Sequence, residues 1–504
     1  DSSLGGEEDA LSAFVNDLLM RFGTGWSIHA DLLRVPAREY PRENAFNNPT
    51  SLLIEHQRRE AYCQEGAHYE NVYALTFAYM PSVLESAHVQ RLFVINPPKQ
   101  AKTGLDHAAI AFNVKLGEFE EYFSNKFSIR RMTSAEMMTF LNICICGERT
   151  PVAVPEVPVF INHYLGAHEF TAGHYPRMGE KNIGVLTLTG FPSTDYSGIL
   201  NVLSALPFEY RVSSRFLFLD PSDAREMLSE YENKHAGNLY SFGQRVAGAL
   251  GSDPRNNPNA ADRAVQSHIE EIRSAQHMVG LGQVTFGYFT MVVTLFDSNQ
   301  DHCQTKLREI RRVLNNSGYY SILETMNCVE GFLGSLPGET IKNVRKPIVS
   351  TQNLANMLPL TDIWTGLEHN PCQYYPKDSP PLCFAATEGT TPFRFHLHVG
   401  DVGHTLVLGP TGAGKSVLLS HIANSALRYK DARVFVFDKG YSQFGLTQAV
   451  GGRFYDILGD ESKVAFSPLS WLEEKSEQMW ASAWLEQLVQ LQGVAITPEI
   501  RSEI

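Results

Sequence analysis

A glycine-rich segment at residues 409–416 constrains the fold more than any other part of this 504-residue sequence. It reads Gly-Pro-Thr-Gly-Ala-Gly-Lys-Ser, which is the GxxxxGK[ST] pattern called Walker A. A short apolar run with β-strand character, 405–408, precedes it, and residues 416–429 carry apolar side chains at helical spacing. A strand, a glycine-rich turn and a helix in this order predict a phosphate-binding loop in an α/β nucleotide-binding core.

The residue types in this segment match the chemistry of a triphosphate. Gly412 and Gly414 leave room for the phosphate oxygens and allow unusual backbone angles, and the amides of the first helical turn can point at those oxygens. Lys415 supplies positive charge to the β- and γ-phosphates, and the Ser416 hydroxyl is placed to ligate Mg²⁺. The predicted catalytic residues are therefore Lys415 and Ser416, with Ser416 as the metal ligand and ATP and Mg²⁺ as the cofactors. The alternative is a glycine-rich connection that binds no ligand.

The predicted nucleotide contacts extend along the whole loop to the start of the helix. They are Gly409, Pro410, Thr411, Gly412, Ala413, Gly414, Lys415, Ser416 and Val417, with Asp438 added from the next apolar run. That run, 433–437, ends in Asp438-Lys439-Gly440. Asp438 has three interpretations: a Walker B carboxylate that holds the Mg²⁺ shell, a polar group near the nucleotide or at a subunit edge, or an ordinary turn carboxylate.

The sequence ends at Ile504, and no second apolar strand with a suitable acidic end is recognised after Lys415. A complete P-loop core needs further strands that carry Walker B, the water-activating carboxylate and a sensor. We therefore expect Walker B, the catalytic glutamate and the arginine finger to lie beyond residue 504. The expectation for this sequence is a P-loop ATP hydrolase in which the front half of the motor domain binds nucleotide without full hydrolytic activity.

Composition excludes several other classes of protein. Forty-two Lys and Arg against 55 Asp and Glu give a formal net charge of −13, so charge alone would not hold the chain on nucleic acid or an anionic membrane. The seven cysteines are odd in number and form no CxxC pair, which favours a reducing compartment and argues against a cysteine metal site. The uncharged stretch 279–296 alternates like a long buried strand, with a membrane-spanning helix as the alternative.

Helical and strand patterns alternate through the first 380 residues. Helices are predicted at 10–22, 51–62, from about 222, at 260–278 and at 300–315, and strands at 26–33, 69–79, 206–220, 284–296 and 319–325. The order strand, helix, strand after residue 284 predicts a ferredoxin-like βαβ unit. The overall prediction is an α/β and α+β protein, with an N-terminal α+β region of ferredoxin-like units followed by the first part of a P-loop, RecA-like NTPase core.

Loop-rich stretches suggest where the domains meet. Residues 237–259 and 347–392 are rich in Gly, Pro, Asn, Ser or Thr. The predicted divisions are an N-terminal α+β domain at 1–240 that docks on other components, a second α+β region with a linker at 241–380, and the front half of the ATPase domain at 381–504.

Several segments, inside and outside the phosphate loop, make the sequence similar to the TrbE branch of the VirB/TrbE/CagE family of conjugal transfer ATPases. Besides the loop itself they are Thr-Gly-Phe-Pro at 189–192, Gly-Ser-Leu-Pro-Gly at 334–338, Asn-Val-Arg-Lys-Pro at 343–347, Asn-Leu-Ala-Asn-Met-Leu-Pro-Leu-Thr at 353–361, Thr-Pro-Phe-Arg-Phe-His-Leu-His at 391–398, Asp-Val-Gly-His-Thr at 401–405 and Phe-Asp-Lys-Gly at 437–440.

The resemblance implies an ATPase of a type IV secretion system that drives pilus assembly or the transfer of DNA or protein. It implies a homo-oligomer, usually a hexamer, with other inner-membrane components of the secretion system as partners and DNA among the transported substrates. The implied location is the cytoplasmic face of a bacterial inner membrane. Two alternatives remain: a DNA translocase of the FtsK or coupling-protein kind, and a scaffold in which nucleotide only stabilises subunit geometry.

Overall fold

The computed structural model describes residues 5–37, 40, 44–64, 66–80, 104–157, 159–161, 164–166, 168–192, 196–232, 260–342, 345–387, 390–457 and 466–504. The predicted loop at 237–259 lies outside these residues. The helices within them are α1 (Gly5–Leu19), α2 (Pro49–Gln64), α3 (Gly104–Phe123), α4 (Ser134–Cys146), α5 (221–232), α6 (Ala260–Gly280), α7 (Gln300–Asn316), α8 (Cys328–Gly334), α9 (Thr351–Met357), α10 (Lys415–Ala426), α11 (Phe444–Ala449), α12 (Lys475–Leu491) and α13 (Pro498–Glu503), with a 3₁₀ helix at Ile199–Ala205.

The strands form one large antiparallel sheet and one hairpin. They are β1 (Trp26–Pro36), β2 (Tyr69–Tyr79), β3 (Phe170–Thr171), β4 (Arg177–Met178), β5 (Lys181–Gly190), β6 (Tyr210–Phe218), β7 (Phe286–Asp297), β8 (Tyr320–Leu323), β9 (Ile348–Ser350), β10 (Cys383–Ala386) and β11 (Pro392–Phe395). The large sheet has the order β2-β1-β6-β7-β5-β4-β3, with β8 on β5 and β9 on β7, whereas β10 and β11 pair only with each other. Strands from the predicted divisions 1–240 and 241–380 thus share one sheet.

The predicted strand, helix, strand order after residue 284 is present as β7, α7 and β8. The two strands are not neighbours, because β5 lies between them and is antiparallel to both. Strand β7 is buried along most of its length at the centre of the sheet. The strand interpretation of 279–296 is therefore confirmed, and no helix among the described residues is long and apolar enough to cross a membrane.

One face of the sheet carries the main hydrophobic core. The spacing of Cys303, Leu307, Ile310 and Leu314 places all four on one side of α7, and all four are buried against this face. The N-terminus of α7 is capped by Asn299, whose side-chain oxygen accepts hydrogen bonds from the first-turn amides. Helices α1 and α9 cover the same face. Burial of each such side chain stabilises the fold by roughly 1.5–3 kcal/mol.

The opposite face contains buried arginines on β6. Arg211 donates through Nη1 to the carbonyl oxygen of Cys144 at 3.1 Å and through Nη2 to both oxygens of Ser335. Arg215 donates through Nη1 to the carbonyl oxygens of Glu339 and Lys342, at 3.0 and 2.9 Å. A buried guanidinium requires such acceptors because its charge is costly to remove from water. The two arginines therefore fix the segment that follows α8 against the sheet.

His29 lies directly opposite Arg215 in the pairing of β1 with β6 and is fully buried. Burial, with Arg215 and Arg211 nearby, lowers the pKa of His29 to about 3. In the unfolded chain the pKa is near 6.5, so between pH 6.5 and 3 the unfolded state binds a proton that the folded state does not. We expect this imidazole to remove about 2 kcal/mol of stability between pH 7.5 and 5, at 1.36 kcal/mol per pKa unit.

The measurement is the urea midpoint of the wild type and of His29→Gln at both pH values, with the loss on acidification smaller in the variant. Asp31 acts in the opposite direction, because burial raises the pKa of its carboxyl to about 6 and the folded state then gains stability as the pH falls from 6 to 4. Comparing the two proteins isolates the histidine from this opposing effect. An equal loss in both proteins would contradict the prediction.

Six of the seven cysteines are buried, and Cys63 on α2 is exposed. Burial raises the pKa of Cys144, Cys303 and Cys328 to about 12, so their thiols stay protonated and unreactive. We expect one rapidly reacting thiol in the native protein when a chromogenic disulfide reagent is added, and none in Cys63→Ser. Rapid reaction of two or more thiols in the native protein would contradict this burial.

Two predicted strands near the phosphate loop are not formed. Within 390–457, neither 405–408 nor 433–437 pairs with a neighbouring strand, and Leu408 and Phe437 are 81% and 96% exposed. The prediction of strands there was wrong for the part of the chain that the structure describes. The apolar, β-branched composition gives these runs the capacity to form strands, but a strand exists only when a neighbour takes up its backbone N–H and C=O groups.

Candidate nucleotide-binding site

The phosphate loop leads directly into α10, which begins at Lys415. Gly412 and Gly414 have φ values of +83° and +84°, in the left-handed region that favours glycine. Gly414 is the N-cap residue, and having no side chain it offers no oxygen to the amides of the first turn. These amides, together with the positive end of the helix dipole, form a site suited to an anion.

Lys415 lies across the loop that it follows. Its Nζ donates to the carbonyl oxygen of Pro410 at 2.6 Å, so the ammonium is held over the turn formed by residues 410–414. Both Lys415 and Ser416 belong to the first turn of α10. The structure thus brings together the charge, the hydroxyl and the amides that the sequence pattern predicts, and this set fits a magnesium-bound triphosphate.

Asp438 occupies a turn beside α10. Its carboxylate accepts from the Ser442 hydroxyl at 2.9 Å and from the Gln443 amide at 2.8 Å. Gln443 in turn donates through Nε2 to the carbonyl oxygen of Ser416 at 3.4 Å and accepts from the Ser420 hydroxyl at 3.1 Å. The carboxylate therefore orders a turn that contacts the phosphate-loop helix, and its role as a magnesium carboxylate stays a prediction.

Gln443 is a residue that sequence reasoning missed. It is only 3% exposed and connects the Asp438 turn to the backbone of the first turn of α10. A glutamine five residues after an aspartate belongs to no pattern with a known mechanism, so the sequence contains no signal for this contact.

Helix α2 of the N-terminal region lies against α10. The Ser51 hydroxyl donates to Asn424 Oδ1 at 2.6 Å, and the Glu55 carboxylate forms a buried ion pair with Arg428, two residues after the end of α10. Arg428 also donates through Nη1 to the carbonyl oxygen of Pro381 at 2.7 Å. The sequence predicts both helices, but it contains no indication that they pack against each other.

Within the ranges that the structure describes, no three His, Cys, Asp or Glu side chains are grouped so that they could hold a metal ion. In the predicted site the magnesium ligands from the protein are limited to the Ser416 hydroxyl, with the phosphates and water supplying the others.

Comparison with known families matches two regions of the chain. Residues 1–86 match the N-terminal domain of the type IV secretion system ATPase VirB4/TrbE. Residues 122–239 and 255–345 match the CagE, TrbE, VirB family, described as a component of the type IV transporter system.

Individual relatives cover most of the chain. It is 35% identical over 526 residues to the conjugal transfer protein TrbE of Rhizobium radiobacter, which covers all of this chain and 63% of that protein. It is 38% identical over 409 residues to a probable conjugal transfer protein TrbE of Sinorhizobium fredii (strain NBRC 101917 / NGR234), covering 78% of this chain and 60% of that protein. The type IV secretion system protein virB4 of Bartonella quintana is 21% identical over 493 residues, covering 95% of this chain and 58% of that protein.

The chain spans about three fifths of the length of these relatives. The matched families, the TrbE relatives and the resemblance on segments from 189 to 440 agree. The chain belongs to the CagE, TrbE, VirB family of type IV transporter components.

Proposed function

We propose that this chain provides the nucleotide-binding region of an ATPase that drives transfer through a type IV secretion system. The observation that supports this most strongly is the phosphate loop, in which two glycines with positive φ lead into α10 and Lys415 lies over the turn. Its cofactors are ATP and Mg²⁺. Family membership supports the secretion context.

In the proposed site each residue has a separate task. The amides of the first turn of α10 bind phosphate oxygens, and the Lys415 ammonium exchanges the Pro410 carbonyl for the β- and γ-phosphates. The Ser416 hydroxyl orients the magnesium ion, which when bound neutralises charge on the phosphates. The Asp438 turn holds Gln443 against the Ser416 carbonyl and so keeps the start of α10 in position.

The finer assignments of domain and setting are proposals of the same kind. We infer that 1–240 docks on other inner-membrane components, that 241–380 continues this region with a ferredoxin-like unit, and that 381–504 is the first part of a RecA-like core. The proposed assembly is a homo-oligomer, with six copies as the expected number, on the cytoplasmic face of a bacterial inner membrane. DNA is a proposed transported substrate.

The experiment that tests the proposed function is a titration of the purified protein with a fluorescent ATP analogue, with and without Mg²⁺. We expect a saturable signal that magnesium strengthens and that unlabelled ATP displaces. Ser416→Ala should bind the analogue with a much weaker dependence on Mg²⁺, because it lacks the hydroxyl that orients the ion. A flat signal from the folded wild type would overturn the proposal.

A further inference from the structure

An open cavity of roughly 500 Å³ lies between α2 and α10. It begins at Val417, the residue after Ser416, and continues along α10 to His421. The opposite wall is formed by α2, including Gln57, Arg58 and Ala61. Its size is within the range of about 300–1,000 Å³ that is usual for small-molecule sites, and its lining is largely apolar with a few polar groups.

The position of the cavity relative to the phosphate loop is informative. Lys415 and Ser416 are predicted to take the β- and γ-phosphates, so the α-phosphate and the sugar must leave the loop beside the start of α10. The side chain of Val417 is 74% exposed at that point and forms part of the cavity wall. A ligand bound at the loop can therefore extend into the cavity without crossing packed protein.

Arg58 is oriented within this cavity. Its Nη2 donates to the carbonyl oxygen of Phe384 at 2.9 Å, which fixes the plane of the guanidinium. The buried Nε of the same side chain has no hydrogen-bond partner among the residues that the structure describes. A guanidinium held in this way can stack on an aromatic base or donate to its acceptor edge.

The electrostatic surroundings favour a neutral aromatic group over a second anion. Burial, with Arg58 and Arg428 nearby, lowers the pKa of His421 to about 4, so its imidazole is neutral at pH 7. The Arg428 charge is compensated by Glu55. One guanidinium in a largely apolar cavity suits a purine, which has a flat apolar face and polar edges.

We propose that the cavity between α2 and α10 binds the purine base and ribose of the nucleotide whose phosphates occupy the 409–416 loop, with Arg58 as the base-contacting residue. This inference rests on the proposed function. It makes the N-terminal region part of the nucleotide site, because α2 forms one wall, and it links nucleotide identity to the packing of that region against α10.

The test compares two ligands that share the phosphate moiety. Magnesium tripolyphosphate reports on the loop alone, whereas MgATP reports on the loop and the cavity. We expect the wild type to bind MgATP about tenfold or more tightly than magnesium tripolyphosphate in isothermal titration calorimetry, which corresponds to about 1.4 kcal/mol. In Ala61→Trp, and separately in Gln57→Trp, the indole fills the cavity, and this advantage should be lost while tripolyphosphate binding is kept.

Leu53→Trp is the matched control, because Leu53 is on the same helix, 58% exposed and outside the cavity wall. It should keep the wild-type ratio. If both cavity-filling variants keep the MgATP advantage, the inference is overturned while the proposed function stands. If the folded wild type binds neither ligand, the proposed function itself fails.

Photolabelling gives a second readout that does not depend on a variant. We expect 8-azido-ATP with Mg²⁺ to label peptides from α2 that contain Gln57 or Ala61, and excess ATP to prevent the labelling. ATP-protected labelling confined to peptides outside the cavity wall would overturn the proposed position of the base.

Discussion

Replacing Lys415 by Ala is expected to reduce ATP turnover and MgATP binding by about two orders of magnitude. The Nζ of Lys415 is held over the phosphate loop, 2.6 Å from the Pro410 carbonyl oxygen, where the charge of the β- and γ-phosphates would be placed. Removal of one group that stabilises developing charge in such a site costs about 10²–10³-fold. The measurements are phosphate release by the assembled ATPase and the fluorescent-analogue titration.

Lys430→Ala is the matched control, since this lysine is exposed, follows α10 and lies outside the loop. It should behave as the wild type. The same pair of variants separates the alternatives for function, because a scaffold that needs no hydrolysis would support normal conjugal transfer with Lys415→Ala. Wild-type affinity in the Lys415→Ala protein would contradict the assignment of the phosphate site.

Replacing Glu55 by Ala is expected to destabilise the protein by about 3–5 kcal/mol. The side chain of Arg428 is fully buried, and that of Glu55 is nearly so, which makes this ion pair a contact without solvent screening. Removing the carboxylate leaves a buried guanidinium with its Pro381 contact but without its counter-charge, and such a loss costs about this amount. The urea midpoint, followed by far-ultraviolet circular dichroism and tryptophan fluorescence, provides the measurement.

Two further variants make the result specific to the ion pair. Glu60→Ala changes an exposed glutamate on the same helix and should shift the free energy of unfolding by less than about 0.5 kcal/mol. Replacing Glu55 and Arg428 together by Met should recover much of the loss, because no unpaired charge remains buried. An effect of Glu55→Ala no larger than that of Glu60→Ala would show that the pair contributes little.

Lys415 and Arg428 act on the same helix from opposite ends. Lys415 begins α10 at the phosphate loop, and Arg428 follows its end at the contact with α2. A rigid helix that touches nucleotide at one end and the N-terminal region at the other provides a physical route for coupling between them. The Gln443 contact with Ser416 adds a second connection near the start of the helix.

Much of the fold could be predicted from local patterns. The sixteen residues of α2, the strands β1 and β2 and the buried β7 follow from side-chain periodicity, because a helix repeats every 3.6 residues and a strand every two. The exceptions are 405–408 and 433–437, which have strand composition but no pairing partner among residues 390–457. Composition sets what a segment can become, and pairing decides whether it does.

By itself the sequence determined the phosphate loop, since the glycines, lysine and serine at 409–416 are adjacent in the chain and their geometry is local. Only the tertiary structure decided that Arg211 and Arg215 fix the segment after α8, that Gln443 contacts Ser416, and that Glu55 pairs with Arg428 across 373 residues. The physical reason is that these contacts depend on the packing of distant elements, which no pattern of neighbouring residues encodes.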